Sequence, residues 1–459
     1  MPVPHGTGKG YASPSGYSQN ALNCFILVQI KAPYLFGHLM NKTYRSLLLV
    51  CLVALCGCRR QTPVDEISVG ESGVVVSDRD LSAVMTQWPQ WRGPTGDGVA
   101  PDQPLPVIWN DSTNVRWVSD VPGRGHSSPI VVGDLVVLGS ANDSQSEQFV
   151  IAYDRETGDQ RWTTVVHKGG FPGRGEVHNK ATNANSTHTS DGKYLVTAHL
   201  NSKRIFVTAL DMEGHQVWQR DIGAFGSKFG YAPSPTLYKS LVIVAADNFG
   251  GGYLVGLDLE SGELAWRTAR GNASSYSSPH VATVGGVDQV LITGGDRLAS
   301  YDPATGQLLW ETECISEATC GTVVTATDRI IASGGYPDKE TVCLSSEGKR
   351  IWSDRTKLYE PSLVCDGENA FGVTDDGIAL CWSVEDGVVG WKKRLGGNFS
   401  SSPVICNGNV YGADLAGNCY VCEADGNAYK QVSKNRLGDD CYSSPAIADG
   451  SIYFRIGQG

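Results

Sequence analysis

The sequence predicts an all-β fold, an eight-bladed β-propeller of four-stranded antiparallel blades. Three observations carry that expectation. A hairpin motif ending on tryptophan recurs along the chain, with successive tryptophans 45, 56, 48, 44, 42 and 39 residues apart. A second, different hairpin falls between each pair of copies. Glycine is abundant, 55 of 459 residues, and no apolar run reaches the roughly 18–20 residues of a membrane-spanning helix. A fixed repeat of about 40–45 residues is the signature of four-stranded blades.

The first motif reads small residue, apolar, Asp, two variable residues, Thr or Ser, Gly, three residues, Trp. It is complete at Ala152–Trp162, Gly256–Trp266 and Ser300–Trp310. Shortened copies run from Ala209 to Trp218, Cys343 to Trp352 and Cys381 to Trp391. Cys422-Glu-Ala-Asp-Gly426 is a copy without its Trp, and Trp117 stands before the first complete copy. Asp and Thr hydrogen-bond the backbone of a turn, and Gly supplies the left-handed conformation that closes it. An indole has a broad apolar face and one donor, suited to covering a seam between blades. The seven residues expected to dock in this way are Trp117, Trp162, Trp218, Trp266, Trp310, Trp352 and Trp391.

The second hairpin is clearest at Ser127-Ser-Pro129, Ser401-Ser-Pro403 and Ser443-Ser-Pro445, with less exact copies near Thr187, Ser234, Ser277, Gly321 and Glu360. That makes eight inner hairpins. The first Trp segment has no inner hairpin before it, and the last inner hairpin has no Trp strand after it. An N-terminal strand near Trp117 is therefore expected to close the ring on the final blade, which leaves no exposed edge there. A full third strand in that blade is not found before Gly459.

Four segments follow from this. Residues 86–459 form the propeller and 58–85 a tether. Residues 40–57 form a lipoprotein signal peptide, with Lys42 and Arg45 before the apolar run Leu47–Leu55. Leu55-Cys56-Gly57-Cys58 has the form of a lipobox with Cys58 as the lipidated residue, an expectation of stable membrane attachment. Because Met40 begins a complete signal, residues 1–39 are read as an over-extended gene model or a disordered leader. The net charge of −11 argues against non-specific nucleic-acid binding, which needs a basic surface.

Nine cysteines follow Cys58. Cys343, Cys381 and Cys422 share the small-residue column of the Trp motif, and Cys365 and Cys406 share a column of the inner hairpin. Both patterns suit buried free thiols. Cys419 and Cys422 are expected on opposite faces of one strand. Cys314 and Cys320 flank a loop, where a disulfide and two free thiols are both open readings.

The repeat Ala-Tyr-Asp-Arg-Glu-Thr-Gly158…Trp162 and its copies resemble the tryptophan-docking repeat of pyrroloquinoline quinone (PQQ)-like propellers. The opening Trp88-Pro-Gln-Trp-Arg-Gly-Pro-Thr-Gly96 is similar to the start of the lipoprotein-type members common in planctomycete-like bacteria. The resemblance implies a quinoprotein-type propeller over roughly residues 86–459. Some relatives are quinoprotein dehydrogenases that hold the quinone over calcium, under a disulfide between adjacent cysteines, with an Asp base. Beyond Cys58 this sequence has no adjacent Cys-Cys pair and no Glu, Asn and Asp set that maps onto those ligands. No catalytic residue, no metal site and no PQQ or calcium binding is expected. Histidines 167, 178 and 188 fall in one segment without a recognisable metal spacing.

The expected functional surface is the set of loops joining each outer strand to the next inner strand, around one mouth of the central channel. Its candidate binding residues are Arg124, His126, Arg174, Lys180, Tyr231, Tyr276, Glu317, Glu360, Phe399 and Tyr442. Basic groups cluster early in this set and acidic ones (Glu317, Glu360, Asp439, Asp440) late. Aromatic and amide groups among charges suit a peptide or glycan. The anchor, the blades and the missing quinone site resemble the BamB family, a subunit of the outer-membrane β-barrel assembly machinery. That resemblance implies a non-catalytic scaffold binding envelope proteins, among them outer-membrane assembly components. Arg59 and Arg60 after the lipidated cysteine favour an outer-membrane anchor facing the periplasm. The alternatives are a periplasmic propeller for a glycan or small ligand, and a PQQ-dependent alcohol or sugar dehydrogenase.

Overall fold

The computed structural model describes residues 64–457 apart from 111, 112, 174 and 273. Cys58, the signal segment, residues 1–39 and Arg174 lie outside the described residues. The described chain contains seven four-stranded antiparallel sheets and one two-stranded sheet. Blade 1 consists of Ile130–Val132, Leu135–Asn142, Glu147–Asp154 and Gln160–Lys168. The next six blades begin at inner strands Thr189–Ser190, Thr236–Tyr238, His280–Val284, Val324–Ala326, Val364–Cys365 and Val404–Cys406. The eighth sheet pairs Ala446–Ala448 with Ser451–Tyr453. One four-residue helix, Val69–Ser72, precedes the blades.

Each blade is thin, so its apolar faces are buried only against its neighbours. The core is accordingly distributed along the seams. One cluster joins Val196, Val207 and Trp218 of blade 2 to Val242 and Val255 of blade 3. Another joins Val404 and Tyr411 of blade 7, Ile447 of blade 8 and Val131 and Ile151 of blade 1. The docking tryptophans cross these seams as expected. The Trp162 indole N–H donates to the Met212 carbonyl at 3.0 Å, Trp218 to Leu259 at 3.1 Å and Trp352 to Val384 at 2.9 Å. Trp117, Trp310 and Trp391 make the same bond to Arg155, Ser346 and Asp425. Trp266 lies in the same place fully buried, but its N–H has no partner. The turn glycine of the next blade receives the ring. A Cβ at Gly214 would stand 2.6 Å from Trp162, and one at Gly262 would stand 2.6 Å from Trp218.

Around the axis a second set of bonds links the inner strands. The backbone N–H of one blade donates to a hydroxyl of the next: Ser128 to Thr187, Thr187 to Ser234 and Ser234 to Ser278, each at 2.9 Å. The series resumes from Thr322 to Ser362, Ser402 and Ser444. Ser444 N–H then donates to Ser128 Oγ at 2.9 Å, which closes the ring from blade 8 to blade 1. The Ser-Ser-Pro signature is thus an axial lock, because a hydroxyl in this position satisfies a buried donor that no ladder reaches.

Two segments differ from expectation. The stretch assigned to a tether is packed from Val64 onward. Val64 adds to the blade 2–3 core, Ile67 pairs with Arg267, and Val74 and Val76 add to the blade 3–4 core. Arg79 then bonds Asp191, and Val84 is buried at the blade 1–2 seam. Apolar residues in 64–84 cover seam ends that would otherwise face water, so the expectation of a tether does not hold from Val64 onward. The segment near Trp117, in turn, docks its indole but forms no ladder with Ser451–Tyr453. Its companion aromatics do meet the closing blade: Trp117 lies 6.0 Å from Tyr453 and Trp109 5.8 Å from Phe454, centroid to centroid.

All nine described cysteines are free thiols. Cys314 is buried, its thiol directed to the Thr312 carbonyl at 3.4 Å, and Cys320 does not bridge to it. Cys419 and Cys422 belong to different core clusters, as opposite faces of one strand require.

Candidate functional site

Both ends of the axial channel are covered by segments that lie outside the repeat. At one end the segment 88–100 crosses the axis. Trp88 pairs with Val131 of blade 1, and the Pro89 carbonyl accepts from Ser190 of blade 2. Gln90 bonds Thr236 of blade 3 and the Trp91 indole donates to Thr322 of blade 5 at 2.9 Å. The Arg92 guanidinium donates to the carbonyls of Asp97 and of Leu363 in blade 6, and Val99 pairs with Ile405 of blade 7. Arg92 is 2% exposed, and burial lowers its pKa to about 10. The glycines of this segment are dictated by close approach: a Cβ at Gly93, whose φ is +84°, would lie 2.7 Å from the Trp88 ring. The repeat search could not reveal this plug, because the segment is not a repeat. Its two Trp and three Gly within residues 88–98 were the available signal.

At the other end, residues 169–185 form a strap between blades 1 and 2 that reaches across the mouth. Gln148 Nε2 donates to the Asn183 carbonyl at 2.7 Å, and Asn183 Nδ2 to Asp143 at 3.0 Å, both in blade 1. Glu176 forms an ion pair with Lys203 of blade 2 at 3.3 Å. The Glu176 carbonyl accepts from Gly230, and Asn185 donates to the Tyr231 carbonyl, both ahead of blade 3. Lys180 Nζ meets Glu360 Oε1 of blade 6 at 3.2 Å, and Ser400 donates to the other Glu360 oxygen. One early basic group, Lys180, therefore meets one late acidic group, Glu360, across the mouth.

Aromatic rings continue around this face. His178 lies 5.8 Å from Phe229, which lies 6.1 Å from Tyr276. Burial pushes the Tyr276 phenol up to about 12, and its hydroxyl is bonded to Ser274 at 2.8 Å. Burial also pushes the Cys320 thiol upward, with the nearby Glu360 and Asp375 adding to the shift. Asp375 accepts the backbone N–H groups of Tyr359 and Glu360 at 3.0 Å and so fixes that loop. His126 stacks flat on Tyr442 at 4.4 Å across the blade 8–1 seam. Arg124 is half-buried, with Nη1 3.4 Å from the Ala181 carbonyl of the strap. Glu317 is exposed at the far side, its N–H held by Asp296.

Three expected binding residues are instead buried, Tyr276 among them at 8% exposed, with Tyr231 and Phe399. Tyr231 is 5% exposed and its hydroxyl donates to the Ala245 carbonyl at 3.0 Å. Phe399 is 1% exposed and packs on Tyr420 and Val373. Both flank glycine- and serine-rich turns, and in sequence a buried anchor of a loop looks like an exposed ring. The structure brings together Lys180, Glu360 and the His178–Phe229–Tyr276 series, and separately His126 with Tyr442. The three histidines of the insert part company. His178 is exposed on the strap, while His167 and His188 are inside, His167 6.0 Å from His199. Burial lowers both His167 and His188 to about 4 and holds His199 well below its ordinary value, so all three are neutral at pH 7. Among the described residues no group of three or more His, Cys, Asp or Glu side chains is arranged to hold a metal ion.

A family model described as outer membrane protein assembly factor BamB matches residues 69–177, 146–393 and 338–430. A curated relative, the outer membrane protein assembly factor BamB of Burkholderia pseudomallei, is 24% identical over 340 residues. That match covers 64% of this chain and 86% of the relative. Among solved structures, BamB from Moraxella catarrhalis superposes with a TM-score of 0.54 at 16% identity, covering 73% of this chain and 94% of that one. The quinohemoprotein alcohol dehydrogenase of Comamonas testosteroni superposes with a TM-score of 0.60 at 13% identity, covering 82% and 77%. At these identities the structural likenesses establish the propeller fold and leave the chemistry to the residues.

Proposed function

The chain belongs to the family of outer membrane protein assembly factor BamB, and from that premise we propose that it is a non-catalytic, lipid-anchored envelope scaffold. On this reading it binds outer-membrane assembly components through its strapped loop face. The observation that carries the proposal is the strap itself. The segment 169–185 reaches from blades 1 and 2 to Glu360 of blade 6 through Lys180, so the mouth is bridged between its two sides. An active site needs a cleft with groups poised for chemistry. Here the polar groups of the mouth already hold the loops in place: Asp375 caps, Glu360 is paired, and the insert's buried histidines are neutral. The quinone clamp of the dehydrogenase relatives needs two adjacent cysteines, and beyond Cys58 the sequence has no such pair. That supports a reading without PQQ or calcium, and against the dehydrogenase alternative.

The test is capture from solubilised envelope with the purified protein as bait. Wild type is expected to retain outer-membrane assembly components. Reversing the exposed charge, Lys180→Glu, is expected to lower recovery at least fivefold, and pairing it with Glu360→Lys to rebuild the strap and restore part of it. Equal capture by wild type and by Lys180→Glu would move the binding surface elsewhere. Retention of glycan fragments in place of proteins would favour the ligand-binding alternative.

A further inference from the structure

Cations gather on one part of the rim, although the chain carries a net charge of −11. The outer strands of blades 6 and 7, Val389–Arg394 and Gln431–Arg436, hold Lys392, Lys393, Arg394, Lys434 and Arg436 and no acidic residue. Trp391, Lys393 and Leu395 alternate onto the face toward blade 7. Lys434 pairs with Tyr420 and Arg436 with Asn418, which puts both on the opposing face, where Tyr420 meets Leu395 and Phe399. Lys393, Lys434 and Arg436 therefore flank one seam, and all three are exposed. The neighbouring Arg394 and Lys430 are taken by Asp376 and by Glu423 and Asp425. None of the three forms an ion pair among the described residues. Asp414, the carboxylate behind Tyr420, is buried and accepts from Asn418 and the Ala416 N–H.

Beneath these cations lies a cavity of about 40 Å³ with an apolar lining that includes Trp391, Leu395, Val410, Gly412, Tyr420 and Tyr429. Lys434 Nζ stands 4.8 Å from the centre of the Tyr420 ring, and Lys393 Nζ 5.8 Å from that of Tyr429. Both ammonium groups thus sit over walls of the cavity. Gly412 is what opens it. Blade 6 has Val373 at the same place in its second strand, and a Cβ on Gly412 would meet nothing nearer than Pro403 at 4.0 Å. Its backbone is not left-handed, so chain conformation does not demand a glycine there.

We propose that this seam binds an acidic segment of a partner polypeptide, with one short branched side chain seated in the cavity and Asp or Glu on either side of it against Lys393, Lys434 and Arg436. A single water needs roughly 10–15 Å³ of such space, so the cavity has room for about three carbon-sized groups, the isopropyl of a valine. The walls of an unfilled apolar void lack contacts on one side, and an aliphatic side chain supplies them. An apolar anchor inside a polar rim is the usual anatomy of an interface. Opposite charge across the rim then speeds and orients the encounter. The cavity is too small for an acyl tail, which favours a polypeptide over an anionic lipid surface. The surface shares no residue with the contacts of the strap, so it goes beyond the loop-face reading and stands or falls independently of it.

The probe is a fluorescein-labelled peptide, Glu-Asp-Glu-Val-Glu-Asp-Glu, titrated into the purified full chain. Saturable binding is expected, weakened by added salt, with slowed hydrogen exchange at residues 389–395 and 431–436. Gly412→Val fills the cavity from the protein side and should weaken binding about tenfold while the protein melts no lower than wild type. Lys393→Gln with Lys434→Gln should weaken it by a similar factor, about tenfold, through the rim. Replacing the central Val of the peptide by Asn should reproduce the loss seen with Gly412→Val, and it decides the matter alone if that variant fails to fold. Absence of saturable binding would overturn the proposal. Equal binding by Gly412→Val or by the Asn peptide would do the same, since the site would then be charge without a pocket. So would slowed exchange confined to the strap, which would move the peptide to the mouth. Phosphatidylglycerol vesicles that bind through Lys393 and Lys434 where the peptide does not would assign the rim to a lipid surface instead.

Discussion

At the residue scale the docking tryptophans and the buried histidines carry the clearest consequences. Trp266 is fully buried and held by packing alone, whereas Trp310 also donates to Ser346 at 3.0 Å. Truncating a buried large aromatic costs about 3–5 kcal/mol, so Trp266→Ala and Trp310→Ala should each lower the denaturant midpoint by that order, the half-exposed Trp310 at the lower end. If both melt like wild type, the seams are not held as described. The histidines set the response to acid. His188 titrates near 4 in the folded chain against an ordinary 6.5, because burial penalises its charged form. Between those values the unfolded chain binds more protons, so stability is complete above pH 6.5 and is lost as pH falls toward 4. At pH 5 this amounts to about 2 kcal/mol for His188 alone. Thermal melts at pH 7.5 and 5 should diverge strongly in wild type and less in His188→Gln; an unchanged pH slope would refute the assignment. The docking tryptophans were legible from spacing, since each copy confirms the next. Tyr231 and Phe399 were not, because whether a loop aromatic turns outward or inward depends on the neighbouring blade.

Among the elements, the repeating ones were readable and the single ones were not. Ser128, Ser402 and Ser444 sit in register in the sequence, and the hydroxyl ring they build explains why the Ser-Ser-Pro copies are so alike. Closure depends on Ser444 N–H reaching Ser128 Oγ. Ser128→Ala leaves that buried donor unpaired, at about 1–3 kcal/mol, and opens the blade 8–1 seam first. Hydrogen exchange should therefore accelerate at 444–456 before it does in blades 3 to 5; uniform acceleration would mean that the ring does not close there. The strap 169–185 and the plug 88–100 escaped the sequence because their bonds are scattered over different blades, four for the strap and six for the plug, and leave no period. The closing blade was half legible: its two strands and Trp117 were in view, but the contact of Trp117 with Tyr453 joins segments more than 300 residues apart.

For the molecule as a whole, two measurements bear on anchoring and chemistry. Metabolic labelling with palmitate should tag the protein, and Cys58→Ala should abolish the tag; an untagged wild type would remove the anchor from the proposal. Calorimetry with PQQ and calcium should give no binding heat and no dye reduction with alcohols or aldose sugars, whereas micromolar binding with substrate-dependent reduction would reinstate an enzyme. The plug also bears on time. Residues 88–100 leave the ribosome before any blade, yet their partners Thr322, Leu363 and Ile405 come 230 to 310 residues later. At the usual 5–20 residues per second this is a delay of roughly 10–60 s. Throughout it Trp91 and Arg92 lack Thr322 and Leu363, the partners that will hold them. The segment is thus made before every blade, and its last partner, Ile405, arrives only with blade 7. A chain halted before Thr322 would therefore leave the Trp91 indole without its acceptor and the plug without its hold on blades 5, 6 and 7.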